Sequence, residues 1–189
     1  IEFLFAEKLA FVNQREIGSD TPSLIDGLAA CTKEDVDVLF VSEFVDPEAI
    51  RKALDLANAG VYVITIMNTD SALHAIERII TSFAPHEEAH IRGLIADVLR
   101  GVIIQELVPK IGGGYASVHE VLLNTPSVRT LIVSNRLAQL DQAIKSSRGD
   151  GMISHDHELA NLIRNQLVSL EHARAAAKDL ETLESLIRG

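Results

Sequence analysis

The sequence predicts an α/β fold in which helices cover a parallel sheet, followed by a mostly helical subdomain. Strand-like apolar segments rich in β-branched residues alternate with helix signals through the first half of the chain. A strand–helix–strand–helix order requires right-handed crossovers, and these produce a parallel sheet. After Pro85 the pattern changes to longer amphipathic stretches, which are typical of helices.

The composition excludes several classes of protein. The chain has 189 residues, of which 47% are hydrophobic and 23% charged, as in an ordinary globular protein. Its net charge of −10 argues against nonspecific nucleic-acid binding, which needs a surplus of Lys and Arg. No apolar run is as long as a transmembrane helix. The one cysteine, Cys31, allows no internal disulfide and fits a reducing cytosol. Because the chain opens on Ile1 without Met, we expect it to be part of a longer protein, called the parent protein below.

Three short apolar segments predict strands: Glu2–Phe5, Val36–Val41 and Val61–Ile66. Five of the six residues in Val36–Val41 are apolar, which predicts a buried strand. Glu43 follows shortly after, and a carboxylate at the edge of a core must be solvated, paired or bound to a metal. Sheets that hydrolyse nucleotides carry at this place the acid that handles Mg²⁺ or the attacking water. The alternative, that Glu43 only marks where the strand enters solvent, stays open.

Helix starts are predicted where a capping residue precedes a proline or an apolar periodic segment. Thr21 is expected to cap a helix that begins at Pro22. Asp46 is expected to cap a helix at Pro47–Asn58, and either Asp70 or Ser71 a helix at Ala72–Ser82. Thr125 is expected to cap a helix from Pro126 onward. Gly60 is expected to end the first of these three helices.

The second half is predicted to be mostly helical. His86–Gln105 has apolar residues at helical spacing, which predicts one long helix. Pro109–Gly114 predicts a turn and Ala116–Leu123 a strand. From His155 onward the chain is amphipathic with helical spacing, so we expect further helices there.

Two polar clusters are expected where predicted strands end. Ser42 and Glu43 follow one strand, and Asn68 and Thr69 follow the next. Because parallel strands end at the same edge of a sheet, a carboxylate and an amide there could position a water and sense a phosphate. The alternative, that residues 68–70 only cap the next helix, stays open.

The sequence contains no Gly-rich phosphate-binding loop with its following Lys and hydroxyl residue. Gly112–Gly114 lacks both residues and is expected to be a hairpin turn. The histidine pairs His86 with His90 and His155 with His157 lack a convincing third ligand nearby in sequence. We therefore predict no metal site made by the chain's own residues.

Seven segments carry a resemblance to a known family, in this order along the chain: Ile1–Phe3, Val12–Thr21, Glu34–Glu43, Asp46–Leu54, Thr69–Ala72, Ile111–Glu120 and Asn124–Arg129. They resemble segments of type IV pilus retraction (twitching motility) ATPases. The first four resemble the end of that family's Asp box, its most recognisable sequence, its Walker B region and the helix after Walker B. Thr69–Ala72 resembles the His box, and the last two segments resemble parts of the C-terminal region. This PilT-like family belongs to the secretion ATPases that also serve type II secretion.

The resemblance implies a RecA-like P-loop NTPase core whose Walker A loop lies upstream of Ile1. Residues 1–84 would be a partial ATPase core, and residues 85–189 the remainder of the core and a helical C-terminal subdomain. The resemblance implies that the parent protein binds ATP and Mg²⁺, at a site that is incomplete in this chain. The implied site residues are, by role, catalytic Glu43, Glu2 and Asn68; nucleotide-binding Asp37, Ser42, Lys33 and Thr69; and Arg129 in the segment associated with retraction.

The function implied by the resemblance is a motor that couples ATP hydrolysis to pilus disassembly and twitching motility. Such a motor would form a homo-hexamer, or a mixed ring with a paralogous ATPase. It would act in the cytoplasm, peripherally at the inner membrane, on a pilus platform protein. No nucleic-acid partner is implied.

Five positions depart from the family pattern. Asn68 stands in place of the His-box histidine, Ser42 in place of a glycine, and Val45, Ala29 and Lys33 in place of arginines. Lysine keeps the charge of arginine but not its fork of donors. These departures support an alternative function, a catalytically degenerate paralogue that serves as a structural or regulatory subunit of the pilus or type II secretion machinery. A third possibility is an α/β interaction domain without a nucleotide site.

Overall fold

The computed structural model describes residues 1–44 and 46–188, and of Arg148 the backbone alone. Val45, one of the departures from the family pattern, lies outside the described residues. The chain forms two compact units, Ile1–Met67 and Asn68–Gly189. The sequence-based division at residue 84 concerns the limits of the ATPase core and stays a prediction.

In residues 1–44 and 46–67 the structure describes two helices and two parallel strands, in the order α1 (Leu24–Cys31), β1 (Val38–Val41), α2 (Pro47–Asn58) and β2 (Tyr62–Thr65). Val38 pairs with Tyr62 and Val41 with Thr65, in parallel register. Asp46 caps α2, since its Oδ1 accepts a hydrogen bond from the Ala49 N–H at 2.8 Å. The predicted parallel pairing and the predicted start of α2 are both confirmed.

Among the described residues of this unit, helices cover one face of the β1–β2 sheet. Val41 packs with Leu28 of α1 and Leu56 of α2 in a small apolar core. On the other face Val38 is 58% exposed and Tyr62 53% exposed. The prediction of a buried strand is therefore wrong for every second residue of β1. Successive side chains of a strand point to opposite faces, and α1 and α2 pack against one of them.

The predicted strand at Glu2–Phe5 is wrong, because the described structure of residues 1–16 contains no strand. The backbone groups there bind a side chain instead of a neighbouring strand. The Phe5 N–H donates to Oε1 of Gln14, and Nε2 of Gln14 donates to the Phe3 carbonyl, both at 2.8 Å. The local apolar pattern was strand-like, but a strand also requires a partner with free backbone groups.

The predicted N-cap at Thr21 is also wrong. Helix α1 starts at Leu24, and its N-cap is Ser23, whose hydroxyl accepts a hydrogen bond from the Asp26 N–H at 3.1 Å. Thr21 instead forms an isolated bridge with Ile17. The extended backbone that this bridge requires delays the helix.

The second unit contains the remaining α-helices and strands that the structure describes, α3 (Ala72–Thr81), α4 (Glu88–Val98), β3 (Gly101–Pro109), β4 (Tyr115–Leu123), α5 (Pro126–Val133), α6 (Leu140–Ser146), α7 (His155–Arg164), α8 (Leu170–Ala176) and α9 (Leu180–Arg188). Thr125 caps α5, as predicted, and of the two residues expected to cap α3, Asp70 and Ser71, the cap is Ser71. The helices expected from His155 onward are confirmed as α7, α8 and α9. Their core includes the fully buried Leu159 and Leu183.

The long helix predicted at His86–Gln105 is wrong. Helix α4 ends at Val98, and the chain turns into β3, which pairs antiparallel with β4. Gly101 opens β3 where a Cβ atom would stand 2.9 Å from the carbonyl oxygen of Leu122, so only glycine fits this close approach. The predicted turn is confirmed, because Gly112, Gly113 and Gly114 all have positive φ between the two strands. The second unit therefore contains a hairpin besides its helices.

Within the part of the chain that the structure describes, no helix is both long and apolar enough to cross a membrane.

Candidate functional site

Ser42 and Glu43 lie in the connection between β1 and α2, at the carboxyl end of the parallel pair. Both residues are exposed. The carboxyl ends of parallel strands are where α/β proteins bind ligands. An exposed carboxylate there can accept a hydrogen bond from a water molecule and increase the nucleophilicity of that water.

Asp37 lies at the opposite end of the same strand. Its backbone oxygen accepts a hydrogen bond from the Tyr62 N–H at 2.8 Å, just before β1 begins. At about 3.3 Å per residue, β1 separates Asp37 from Glu43 by more than the reach of either side chain. The structure of the first unit therefore does not bring Asp37 and Glu43 together.

Arg15, which was not among the predicted site residues, forms the clearest ion pair of the first unit. One of its terminal nitrogens lies 2.9 Å and 2.8 Å from the two carboxylate oxygens of Glu34. Glu34 follows Lys33, which is exposed beyond the end of α1. Partial burial raises the pKa of the nearby Cys31 thiol, and the negative charge of Glu34 raises it further. The sequence signal for Arg15 was its place in the segment Val12–Thr21.

Glu2 is exposed and lies in the segment without regular secondary structure at the start of the chain. Its predicted catalytic role stays a prediction. Arg129 is exposed on α5, next to Val128, which is fully buried. An exposed guanidinium on a helix that is anchored by its buried face is well placed to contact a partner.

In the second unit, Asn68 and Thr69 precede α3, and each makes one hydrogen bond. The Asn68 carbonyl accepts a hydrogen bond from Nη1 of Arg78 at 2.9 Å. The Thr69 hydroxyl donates to the Ser71 carbonyl at 3.3 Å. The side chain of Asn68 is exposed, so its amide is open to a ligand.

Asp70 and His74 pair across the first turn of α3. Oδ1 of Asp70 lies 2.6 Å from Nδ1 of His74. This hydrogen bond lowers the pKa of Asp70 and, together with the negative charge of Asp70, raises the pKa of His74. Both groups are exposed. The expected capping role of residues 68–70 therefore belongs to Ser71, while Asp70 binds His74.

Two charged residues that the sequence analysis did not predict, Glu120 and Lys178, contact the same segment. Oε1 of Glu120 accepts a hydrogen bond from the Ala72 N–H at 2.8 Å. Nζ of Lys178 lies 3.1 Å from Oε2 of Glu120 and 2.6 Å from the Asp70 carbonyl oxygen. Glu120 shares the inward face of β4 with Val118 and Leu122. An acid in the inward register of an apolar strand was the signal that could have found it.

Another buried polar group lies at the start of α7. Nε2 of His155 lies 2.9 Å from Oε2 of Glu106. The Asp156 carboxylate accepts hydrogen bonds from the backbone N–H groups of Lys178 at 2.9 Å and Asp179 at 3.1 Å. Among residues 1–44 and 46–188, no three His, Cys, Asp or Glu residues converge as metal ligands would.

Ser42 and Glu43 are sequence neighbours in the first unit, as Asn68 and Thr69 are in the second, and the structure adds no other predicted site residue to either pair. That all four form one nucleotide site stays a prediction.

Comparison with known proteins gives consistent results. The chain is 38% identical over 178 residues to the type IV pilus retraction ATPase PilT of Pseudomonas aeruginosa, which is 94% of this chain and 52% of that protein. It is 34% identical to a twitching motility protein of Neisseria gonorrhoeae, over 97% of this chain and 49% of that one. The chain spans about half the length of these curated relatives. No family model matches it.

A solved structure matches as well. The crystal structure of the pilus retraction motor PilT with bound ADP superposes with a TM-score of 0.88 at 36% identity. The match covers 98% of this chain and 52% of that one. The predicted α/β fold with a parallel sheet and flanking helices is thereby confirmed.

Proposed function

The chain belongs to the PilT-like family of type IV pilus retraction ATPases, as a homologue of their C-terminal part, and we propose that its parent protein hydrolyses ATP to drive pilus retraction and twitching motility. The observation that carries this proposal is the superposition on a retraction motor that has ADP bound, at a TM-score of 0.88. Two relatives whose names refer to retraction or twitching align with at least 94% of this chain.

Glu43 is the residue that we assign to the attacking water. Its carboxylate is exposed at the carboxyl end of β1, where it can accept a proton or a hydrogen bond from a water. In phosphoryl transfer the protein contributes mainly positioning and electrostatic stabilisation, so one correctly placed carboxylate has a large effect on rate. Glu2 is the second acidic residue to which we assign a catalytic role.

Asn68 is assigned to the γ-phosphate. Its exposed amide NH₂ can donate a hydrogen bond to a phosphate oxygen, as the family's histidine can. Thr69 and Ser42 offer hydroxyl groups, and Lys33 a positive charge, that suit a polyphosphate ligand. Asp37 is also assigned to nucleotide binding, but it lies at the opposite end of β1 from Glu43, so its position does not support this assignment.

ATP and Mg²⁺ are the proposed cofactors of the parent protein. Mg²⁺ keeps several waters and binds through one or two carboxylates together with the nucleotide's phosphates. The proposal includes a phosphate-binding loop elsewhere in the parent protein.

We propose that the parent protein assembles as a homo-hexamer or as a mixed ring with a paralogous ATPase. The proposed partner is a pilus platform protein of the inner membrane, reached from the cytoplasmic side. Arg129 is the residue that we assign to a partner contact, because its guanidinium is exposed while Val128 anchors the helix beside it.

A degenerate subunit without hydrolysis is the second candidate function. The observations in its favour are Asn68, Ser42 and Ala29, which stand where the family pattern has a histidine, a glycine and an arginine. The comparisons do not favour it, because the chain aligns with retraction ATPases over nearly its whole length.

The test is complementation of a bacterium that lacks its own retraction ATPase. The parent protein and its Glu43→Gln and Glu48→Gln variants are expressed at equal levels, and twitching zones are measured. Glu48 is an exposed acid in the first turn of α2, so Glu48→Gln is a matched control. We expect twitching with the wild type and with Glu48→Gln, and none with Glu43→Gln. Equal twitching with Glu43→Gln would refute the role assigned to Glu43, whereas no twitching with the wild type would refute the motor and support the structural subunit.

A further inference from the structure

The backbone of residues 68–72 is held by side chains from three separate places in the second unit. Arg78 of α3 donates to the Asn68 carbonyl, Lys178 to the Asp70 carbonyl, and Glu120 accepts from the Ala72 N–H. The last two side chains are 58 residues apart in sequence and also bind each other. The segment that carries Asn68 is therefore fixed by groups far from it in the chain.

Glu120 is suited to hold the end of this segment. It is 5% exposed, and a buried carboxylate is unfavourable unless it is paired and hydrogen-bonded. Each oxygen has a partner, Oε1 the Ala72 N–H and Oε2 the Lys178 ammonium. The Ala72 N–H belongs to the first turn of α3, where backbone donors lack partners within the helix and negative charge is favoured.

Lys178 connects the segment to the last two helices. Its ammonium lies between the Glu120 carboxylate and the Asp70 carbonyl, at 3.1 Å and 2.6 Å. Its own backbone N–H donates to Oδ1 of Asp156 at 2.9 Å, and Asp156 is 3% exposed. The long side chain therefore starts from a fixed point, which lowers the entropy lost when the ammonium is held in place.

We propose that Glu120 and Lys178 are positioning residues for Asn68. By holding the peptide groups at Asp70 and Ala72, they fix the direction in which the Asn68 amide meets the nucleotide. Displacement of a reacting or sensing group by about 1 Å can lower a rate about a hundredfold, so such support affects catalysis without touching the ligand. This inference rests on the proposed function, in which Asn68 contacts the γ-phosphate.

The first measurement tests the contact itself by amide hydrogen exchange of the 189-residue chain. Lys178→Met removes the ammonium and keeps most of the apolar stem. We expect exchange of the Ala72 amide to be roughly ten- to a hundredfold faster in this variant. The Lys178 ammonium no longer holds Oε2 of Glu120, and the other oxygen of Glu120 is the acceptor for the Ala72 N–H. The control is Lys145→Met, since Lys145 pairs with Asp179, the neighbour of Lys178, at 3.1 Å. The control should leave Ala72 exchange unchanged.

The second measurement tests positioning in the parent protein, through kcat and KM for ATP. Lys178→Met should lower kcat about tenfold or more and leave KM within about twofold, because an interaction made mainly in the transition state is weakened. Lys178→Arg restores a positive donor and should recover part of kcat. If Lys178→Met does not fold, Glu120→Gln replaces it, because the amide oxygen still accepts from Ala72 while the charge that binds Lys178 is gone.

Each outcome has a distinct meaning. Faster Ala72 exchange with a lower kcat supports the proposal. Unchanged exchange in Lys178→Met would overturn the contact, and faster exchange with wild-type kcat would overturn the positioning role, leaving a structural contact only. A wild-type parent protein that does not hydrolyse ATP would overturn the proposed function and this role with it, whereas the exchange measurement would still report on the contact.

Discussion

Asp156→Asn is expected to destabilise the C-terminal helices through a single pair of hydrogen bonds. The Asp156 carboxylate is 3% exposed, and its two oxygens accept from the backbone N–H groups of Lys178 and Asp179. Asparagine has one acceptor oxygen, and its NH₂ group cannot accept from an N–H. One charge-assisted hydrogen bond is therefore lost, and the other becomes a neutral one.

The magnitude follows from these two changes. A hydrogen bond to a charged group contributes about 1.5–3 kcal/mol and a neutral one about 1 kcal/mol. The expected loss in the free energy of unfolding is therefore about 2–5 kcal/mol. A loss of about 3 kcal/mol raises the unfolded fraction roughly a hundredfold.

The structure also predicts which hydrogen bond is lost. Oδ1 of Asp156 lies 3.6 Å from Nδ1 of His155, which is buried and lacks a hydrogen-bond partner. We expect the new NH₂ group to take this place and donate to Nδ1. The bond to the Lys178 N–H, which uses Oδ1, is then lost, while the bond to the Asp179 N–H remains.

The assay combines urea unfolding with amide hydrogen exchange of the 189-residue chain. Asp97→Asn is the control, because Asp97 is an exposed acid on α4. We expect faster exchange at Lys178 than at Asp179, and wild-type behaviour in the control. A stability of Asp156→Asn within about 0.5 kcal/mol of wild type, the range of ordinary surface substitutions, would refute this reasoning.

Three further predictions concern packing and reactivity. Gly101→Ala should lower the free energy of unfolding by roughly 1–3 kcal/mol, because its Cβ would stand 2.9 Å from a backbone oxygen. Gly93→Ala should raise the free energy of unfolding by roughly 0.5–1 kcal/mol, because its Cβ would meet nothing within 4 Å. Leu183→Ala should cost about 2–5 kcal/mol by urea unfolding, because Leu183 is 0% exposed, and Leu180→Ala, 51% exposed on the same helix, should cost less than about 1 kcal/mol. Burial raises the pKa of the Cys31 thiol, so iodoacetamide near neutral pH should alkylate the folded chain more slowly than the urea-unfolded chain. The rate for the folded chain should increase as the pH rises. Equal rates in the folded and unfolded chains would contradict the assigned burial.

Local signals in the sequence predicted local structure well. The N-caps at Asp46 and Thr125 and the glycine turn of the hairpin were predicted from neighbouring residues, and Ser71 was one of two candidates for the N-cap of α3. The hydrogen bonds that make these features connect residues close in sequence. Thr21 failed as a cap because its bridge to Ile17 competes with the helix start.

Structure that depends on distant partners was not predictable in this way. The helical spacing of α4 continues in the sequence beyond Val98, but pairing with β4 makes the next residues a strand. The contact of Glu120 with Lys178 joins residues 58 apart in sequence, and no local pattern connects the two. In the candidate site, the positions of Glu43 and Asn68 after predicted strands could be predicted from the sequence. The side chains of Glu120 and Lys178 that hold the Asn68 segment could not.

ATP turnover by the purified parent protein tests the central claim most directly. Steady-state phosphate release is measured for the wild type, Glu43→Gln and Glu48→Gln at saturating Mg·ATP. The proposed role of Glu43 predicts turnover in the wild type and in Glu48→Gln, and a loss of roughly a hundredfold or more in Glu43→Gln. Unchanged turnover in Glu43→Gln, or no turnover in the wild type, would contradict it.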